Sequence, residues 1–287
     1  MIQPFRDTQV YSERVTDDPT PVTTSDAKLP NRYAPPAGMR WGLWEVAIGL
    51  VVFVTLGAAF AVLARAVLPD DDFIGNLEPL GFASALLAYA GLMAVIVVAS
   101  RRLGLRSLAA DFGLRFRPID LLIGLGIGVV GRIFTLVLTV VAISITGYSP
   151  EQGNFVLASE PLWIVLNGVV IAVLVAPLVE ELFFRGLLLR AVRNRVLRWR
   201  GREQPADAAT QKRAVILSIA ISSIAFMALH MYQAVDDPTL AIILGGSTLF
   251  VGAANAVVAL LTHRLGGAVV GHMVFNGSAV VLSLLVT

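Results

Sequence analysis

Residues 161–189 of the chain read PLWIVLNGVVIAVLVAPLVEELFFRGLLL, and this stretch decides the fold. Its only charged residues are Glu180, Glu181 and Arg185. An apolar run of about 20 residues is long enough to cross the hydrocarbon core of a bilayer as a helix. Similar runs predict six further spans, at about 41–64, 81–100, 118–147, 214–232, 239–262 and 267–286.

The composition excludes an ordinary soluble domain. Of the 287 residues, 56% are hydrophobic and 15% are charged, whereas soluble domains carry roughly 25% charged residues. Because cysteine is absent, disulfides, thiolate metal sites and cysteine nucleophiles are excluded. The net charge of +2 gives no reason to expect nucleic acid as a partner. The strong preference for arginine over lysine, with much Ala, Gly and Val, indicates a GC-rich bacterial genome.

We therefore predict an all-α, polytopic membrane helix bundle. It has seven transmembrane helices, or eight if residues 118–147 break at their glycines. Within that segment Gly124 and Gly128 are four residues apart, a spacing that predicts close contact with another helix. Membrane lipid surrounds the bundle and is an expected partner. The sequence does not indicate an oligomeric state.

The chain divides into a tail and one membrane domain. Residues 1–40 are polar and rich in proline, which predicts a flexible cytoplasmic tail. Residues 41–287 form the transmembrane helical domain. The loops between its spans are alternately acidic and basic, and the most basic ones are at 101–117 and 190–213. The positive-inside rule then places the amino terminus in the cytoplasm of a cell membrane and the carboxyl terminus outside.

The three charged residues of the fourth span are candidates for function. An ionisable side chain inside a span costs about 2.5–3.5 kcal/mol and by default marks a functional site. Glu181 and Arg185 are four residues apart and share a helix face, so they are predicted to pair. In the structural alternative, Arg185 snorkels to the membrane surface with Glu181 as its partner. Glu180 points about 100° away and has no base close to it in sequence.

Two later spans add histidines to this set. The motif Phe226-Met-Ala-Leu-His230 stands in the fifth span, and His272-Met-Val-Phe-Asn276 stands in the seventh. Residues four apart share a helix face, so Phe226 is able to pack against His230. For the same reason His272 and Asn276 present an imidazole and an amide together. A single membrane histidine is often a helix–helix hydrogen bonder, but two in such motifs favour a catalytic site.

The depth of these residues restricts where such a site can lie. At about 1.5 Å per residue, Glu180 lies roughly 28 Å below residue 161 and His230 roughly 24 Å above residue 214, near opposite membrane faces. They meet only if the fourth helix continues through 187–189, the fifth begins late, or Pro177 kinks the fourth. The position of His272 near the start of its span predicts a site in the cytoplasmic half, with a cavity opening there.

The three motifs, taken in order, resemble the CAAX-protease and bacteriocin-processing family of intramembrane endopeptidases, also called the Abi family. The resemblance covers about residues 118–287. It implies a protease whose catalytic residues are Glu180, His230, His272 and Asn276, supported by Glu181, Arg185 and Phe226. Its substrate would be a membrane-associated peptide or protein.

The chemistry of amide hydrolysis is compatible with these residues. The reaction needs a base to activate water, a donor for the oxyanion and an acid for the leaving amine. The hypothesis is that Glu180 takes a proton from a water also held by His230, while His272 and Asn276 donate to the oxyanion.

Two questions stay open at this stage. Glu180, His230 and His272 offer the two-histidine, one-carboxylate set of a catalytic zinc, but neither histidine motif is the one-helix His-Glu-x-x-His arrangement, so metal-free and zinc chemistry both remain. The alternatives to a protease are a proton-coupled membrane transporter and a non-catalytic, bacteriocin-immunity type member of the same family. Arg132, deep in 118–147, has no assigned role: it snorkels, pairs with a carboxylate or shapes the cavity.

Overall fold

The computed structural model of the protein describes residues 39–147, 160–198 and 207–286. The tail predicted at 1–40 lies outside these residues except for its last two. Within the described ranges every regular element is a helix: α1 (Leu43–Val67), α2 (Asp70–Gly75), α3 (Leu77–Leu103), α4 (Leu108–Asp111), α5 (Ile119–Thr146), α6 (Pro161–Leu197), α7 (Ala208–Ala234), α8 (Pro238–Thr262) and α9 (Gly266–Val286).

Seven of these helices, all except α2 and α4, are long and apolar enough to cross a membrane. The all-helical fold and the count of seven in the described part of the chain confirm the prediction from sequence. The third span does not break, because α5 continues as one helix from Ile119 to Thr146.

The bundle has one basic and one acidic end. The last turn of α3 and the loop after it place Arg101, Arg102 and Arg106 at the basic end. Asp70–Asp72 and Asp236–Asp237 lie at the acidic end. At the basic end, Nε of Arg264 donates to both carboxylate oxygens of Asp120 at 2.9 Å. The backbone N–H of Leu265 donates to the carbonyl of Gly113 at 2.8 Å. These hydrogen bonds connect the turn between α8 and α9 to the start of α5 and to the loop before it.

Helix α6 changes its winding around the pair Glu180–Glu181. Wide π-helical turns run over Ile164–Val175 and Leu182–Leu188, and ordinary α-helical turns over Ala176–Glu181 lie between them. The first change falls beside Pro177, which has no N–H to donate to the helix ladder. Such π-helical turns are rare and often occur at functional sites.

Of the three arrangements that would bring Glu180 and His230 together, the structure has a longer fourth helix. Helix α6 continues past residue 189 to Leu197. Helix α7 does not begin late, because it starts at Ala208, before the predicted residue 214. A Cβ placed on Gly113, in the basic-end loop, would be 3.2 Å from Cζ of Arg190. Since α6 therefore reaches the basic end near Arg190, Glu180 lies well inside the bundle.

Helices α5 and α9 are packed backbone to backbone. A Cβ built on Gly124 would lie 2.7 Å from the backbone N of Gly271, and a Cβ built on Gly128 would lie 3.0 Å from the carbonyl O of Gly271. Only glycine fits at such distances, as expected for small residues at a membrane helix interface. The close contact predicted for Gly124 and Gly128 is confirmed.

We predict that Gly128→Val destabilises the protein by about 1–3 kcal/mol, since the added methyl groups must push α9 away. Gly126→Val is the matched control, because it lies on the same helix and a Cβ there meets nothing within 4 Å. Thermal unfolding in detergent, followed by circular dichroism, compares the two. Equal midpoints for both variants would contradict the close contact.

Candidate active site

The four residues predicted to be catalytic line a single cavity of about 190 Å³. Glu180 comes from α6, His230 from the end of α7, and His272 and Asn276 from α9. Three separate helices thus bring to one place the polar groups that the sequence distributes over about 100 residues.

Glu180 faces both histidines through one oxygen. Its Oε2 lies 3.8 Å from Nε2 of His272 and 4.0 Å from Nε2 of His230. Both separations exceed the length of a direct hydrogen bond and suit a bridging water. The side chains of Glu180 and His272 are only 5% and 3% exposed, whereas that of His230 is 19% exposed. His230 is therefore the most accessible of the three groups.

Each imidazole is held by its other nitrogen. Nδ1 of His230 lies 2.8 Å from the backbone carbonyl of Phe226, and Nδ1 of His272 lies 3.1 Å from Oε1 of Glu181. Both acceptors lack hydrogen, so Nδ1 carries the proton in each ring. In the neutral form this leaves the Nε2 lone pair directed away from Nδ1, on the side of Glu180.

Glu181 is the centre of a buried polar network. Its Oε1 accepts from Nη1 of Arg185 at 2.9 Å, from Nδ2 of Asn255 at 3.1 Å and from Nδ1 of His272. Arg185 also donates to the carbonyl of Gly252 at 3.1 Å. The Glu181 and Arg185 side chains have no exposed surface, so Arg185 does not snorkel. The pair instead joins α6 to α8 and α9.

Aromatic and amide groups complete the walls. The Phe226 ring lies 4.5 Å from the His230 ring and 5.4 Å from the His272 ring, centroid to centroid. The Arg185 guanidinium also lies over the Phe226 ring, 4.4 Å from the ring centroid. Nδ2 of Asn276 donates to the carbonyl of Ala172 at 2.7 Å, which leaves one amide N–H for another acceptor.

Sequence reasoning missed one neighbour of Glu180. The hydroxyl of Tyr89, on α3, donates to Oε1 of Glu180 at 2.6 Å. The available signal was a phenol inside an apolar span, because a buried tyrosine hydroxyl needs a partner. Asn255, on α8, forms an interhelical hydrogen bond with Glu181. Arg132 lines the same cavity as Glu180.

The cavity extends in the direction opposite to the prediction. Its residues beyond Glu180, among them Ala172, Gln233, Leu244 and Ala279, lie toward the acidic end of their helices. Toward the basic end, the space next to Glu180 is filled by the Glu181–Arg185 pair and by buried rings. The cavity thus lies toward the acidic end and not in the basic half, where its opening was expected, although His272 does lie only six residues into α9.

The three candidate zinc ligands do not fit zinc as they stand. Around a tetrahedral zinc with bonds of about 2.0–2.1 Å, ligand atoms are about 3.3 Å apart. The distances of 3.8 Å and 4.0 Å from Glu180 Oε2 to the two Nε2 atoms are wider. No group of three His, Asp or Glu residues in the described part of the chain is arranged to hold a metal ion.

A helical bundle with seven apolar spans and an internal carboxylate–histidine cavity defines a class, the polytopic membrane proteins with a polar site between their helices. Residues 161–278 match the family model of Rce1-like proteins, described as type II CAAX prenyl endopeptidase Rce1-like. This match covers less than half of the chain and agrees with the family that the motifs resemble. The seven apolar helices make the protein a multi-pass membrane protein. The matched segment contains Glu180, His230, His272 and Asn276. No curated protein and no solved structure matches the chain.

We predict that Arg185→Leu destabilises the protein by about 3–5 kcal/mol, because it leaves the Glu181 carboxylate buried without its counter-charge. The matched control is Arg65→Leu, which removes an ion pair to Asp70 whose side chains are 54% and 75% exposed. Exposed pairs contribute little. Thermal unfolding in detergent measures both variants, and an Arg185→Leu protein as stable as Arg65→Leu would show that the buried network does not hold the helices together.

Proposed function

We propose that the protein is an intramembrane endopeptidase that hydrolyses a peptide bond of a membrane-associated peptide or protein. The observation that supports this most is the approach of Glu180 Oε2 to Nε2 of His272 and His230 at 3.8 Å and 4.0 Å within one cavity. A water between them is within reach of a carboxylate and a neutral imidazole, both of which accept protons.

In the first step, Glu180 acts as the general base. The water held between Glu180 and His230 gives its proton to Oε2 of Glu180 while its oxygen bonds to the carbonyl carbon of the peptide. Tyr89 supports this role, because its 2.6 Å hydrogen bond to Oε1 fixes the carboxylate and leaves Oε2 for the water. Burial strengthens these interactions, since a low-dielectric site screens charge poorly.

In the second step, the oxyanion is stabilised and collapses. The N–H groups of Asn276 and of protonated His272 donate to the developing oxyanion. The carboxylate of Glu181 accepts the hydrogen bond from Nδ1 of His272 and so fixes the orientation of this ring. The carbon–nitrogen bond then breaks, and Glu180 returns its proton to the leaving amine. The proton that the reaction moves thus comes from the water and passes through Glu180 to the leaving amine, while the second water proton stays on the new carboxyl group.

The membrane setting is part of the proposal. The basic end, with Arg101, Arg102 and Arg106, faces the cytoplasm of a cell membrane by the positive-inside rule, and the acidic end faces outward. The substrate then approaches from the lipid or from the acidic side, since the cavity extends from Glu180 toward that end.

We predict that Glu180→Gln lowers the cleavage rate by about 10²–10⁴-fold, because an amide cannot take the proton of water. Glutamine keeps the shape of the side chain and its acceptor for Tyr89, so the fold is retained. The matched control Glu78→Gln removes a carboxylate from α3, away from the cavity. The assay is cleavage of lipid-anchored peptides in proteoliposomes, read by mass spectrometry.

Proton flux across the same proteoliposomes separates the enzyme from a transporter. An endopeptidase produces Glu180-dependent fragments and no substrate-driven proton uptake. Proton uptake without fragments would replace the proposal with the carrier, and a Glu180→Gln protein that cleaves at the wild-type rate would refute the role of Glu180.

A further inference from the structure

Arg132 places a positive charge on the wall of the cavity, far from either end of α5. It is about 20 Å from both ends of the helix, which is further than an arginine side chain can snorkel. An arginine at such depth is costly to insert and marks a functional site by default. The snorkelling predicted as one alternative is therefore excluded.

The partners of Arg132 are neutral. Its Nε donates to the hydroxyl of Ser278 at 2.9 Å, and its Nη2 donates to the carbonyl of Phe275 at 2.7 Å. The guanidinium also stacks over the Phe275 ring, 4.5 Å from the centroid. No carboxylate forms an ion pair with Arg132 among the residues that the structure describes. The described residues thus hold the charge in place without a carboxylate to neutralise it.

The guanidinium retains capacity to bind an anion. Of its five N–H groups, two are used by Ser278 and Phe275, which leaves three. A guanidinium held in a fixed plane is suited to bind a carboxylate through two parallel hydrogen bonds. Arg132 lines the cavity together with Glu180 and Asn276, so an anion in the cavity is able to reach it.

The contacts of Arg132 along α9 give its distance from the candidate catalytic groups. Phe275 and Ser278 follow His272 by three and six residues, or about 4.5 and 9 Å along the helix axis. An extended peptide advances about 3.3 Å per residue. A peptide bond at Glu180 and an anion at Arg132 are thus separated by one to three residues.

We propose that Arg132 is a specificity-determining residue that binds a carboxylate of the substrate, one to three residues from the bond that is cut. This inference rests on the proposed endopeptidase function and adds a subsite to it. The carboxylate has two sources in a peptide, the free carboxyl terminus or an Asp or Glu side chain, and both would meet Arg132 through the same bidentate hydrogen bonds.

The test uses four versions of one lipid-anchored fluorescent peptide, with the carboxyl terminus as acid or amide and one internal residue as Asp or Asn. Their binding to Glu180→Gln protein in nanodiscs of zwitterionic lipid is measured by fluorescence anisotropy, so cleavage is not required. We expect one neutralised carboxylate to weaken binding by about tenfold, as loss of a charge-assisted hydrogen bond does. The version that loses affinity identifies the source.

Variants of Arg132 then show whether this residue causes the preference for peptides with a carboxylate. Adding Arg132→Gln should bring the affinities of the acid and neutral peptides to the same value. Arg132→Lys should keep part of the difference, because it keeps the charge but loses the two parallel hydrogen bonds. Arg101→Gln, an exposed arginine at the basic end, is the matched control and should change nothing. If Arg132 served only to clamp α5 to α9, Arg132→Gln would weaken all four peptides equally, which would overturn the subsite.

The outcomes separate the subsite from the proposed function. Glu180-dependent cleavage by the wild type, with equal binding of all four peptides, would overturn the subsite and leave the endopeptidase standing. A carboxylate preference that disappears in Arg132→Gln, without cleavage of any peptide by the wild type, would support the subsite and refute the endopeptidase.

Discussion

One carboxylate oxygen, Oε1 of Glu181, holds the active part of the bundle together. It accepts hydrogen bonds from Arg185 on its own helix, from Asn255 on α8 and from His272 on α9. A charge buried in a membrane protein must be paired, and here the pairing joins three helices at one atom. A shift of α8 or α9 relative to α6 would break the bonds to Asn255, His272 or the carbonyl of Gly252, so the network specifies the packing as well as stabilising it.

The geometry of the site follows from that network. Because the His272 ring is fixed through Nδ1, its Nε2 faces the cavity. Glu180, three residues after Pro177, faces the same cavity. The two adjacent glutamates point about 100° apart around α6 and therefore have different surroundings. Glu181 is enclosed among donors, whereas Glu180 lines the cavity and faces two imidazoles. Neighbouring residues of one type thus acquire different roles, one positioning and one proposed for catalysis.

Much of this architecture is predictable from local patterns, and the remainder depends on tertiary packing. Long apolar runs predict the seven spans, and the four-residue spacings in the motifs predict which polar groups share a helix face. The partnership of Tyr89 with Glu180 joins residues 91 positions apart, and no local pattern encodes it. The direction of the cavity was also mispredicted. That direction depends on which side of Glu180 is filled by Arg185 and the rings, and on how far α6 and α7 continue beyond the basic end.

The central claim is that Glu180 and His230 hold one reactive water beside His272. A high-resolution structure of the protein in lipid nanodiscs, with metal content measured on the same sample, tests it most directly. The account predicts a single density peak at hydrogen-bonding distance, about 2.6–3.2 Å, from Oε2 of Glu180 and from Nε2 of His230, without stoichiometric metal. A zinc at about 2.0–2.1 Å from these atoms, or side chains that turn away from one another toward lipid, would contradict it.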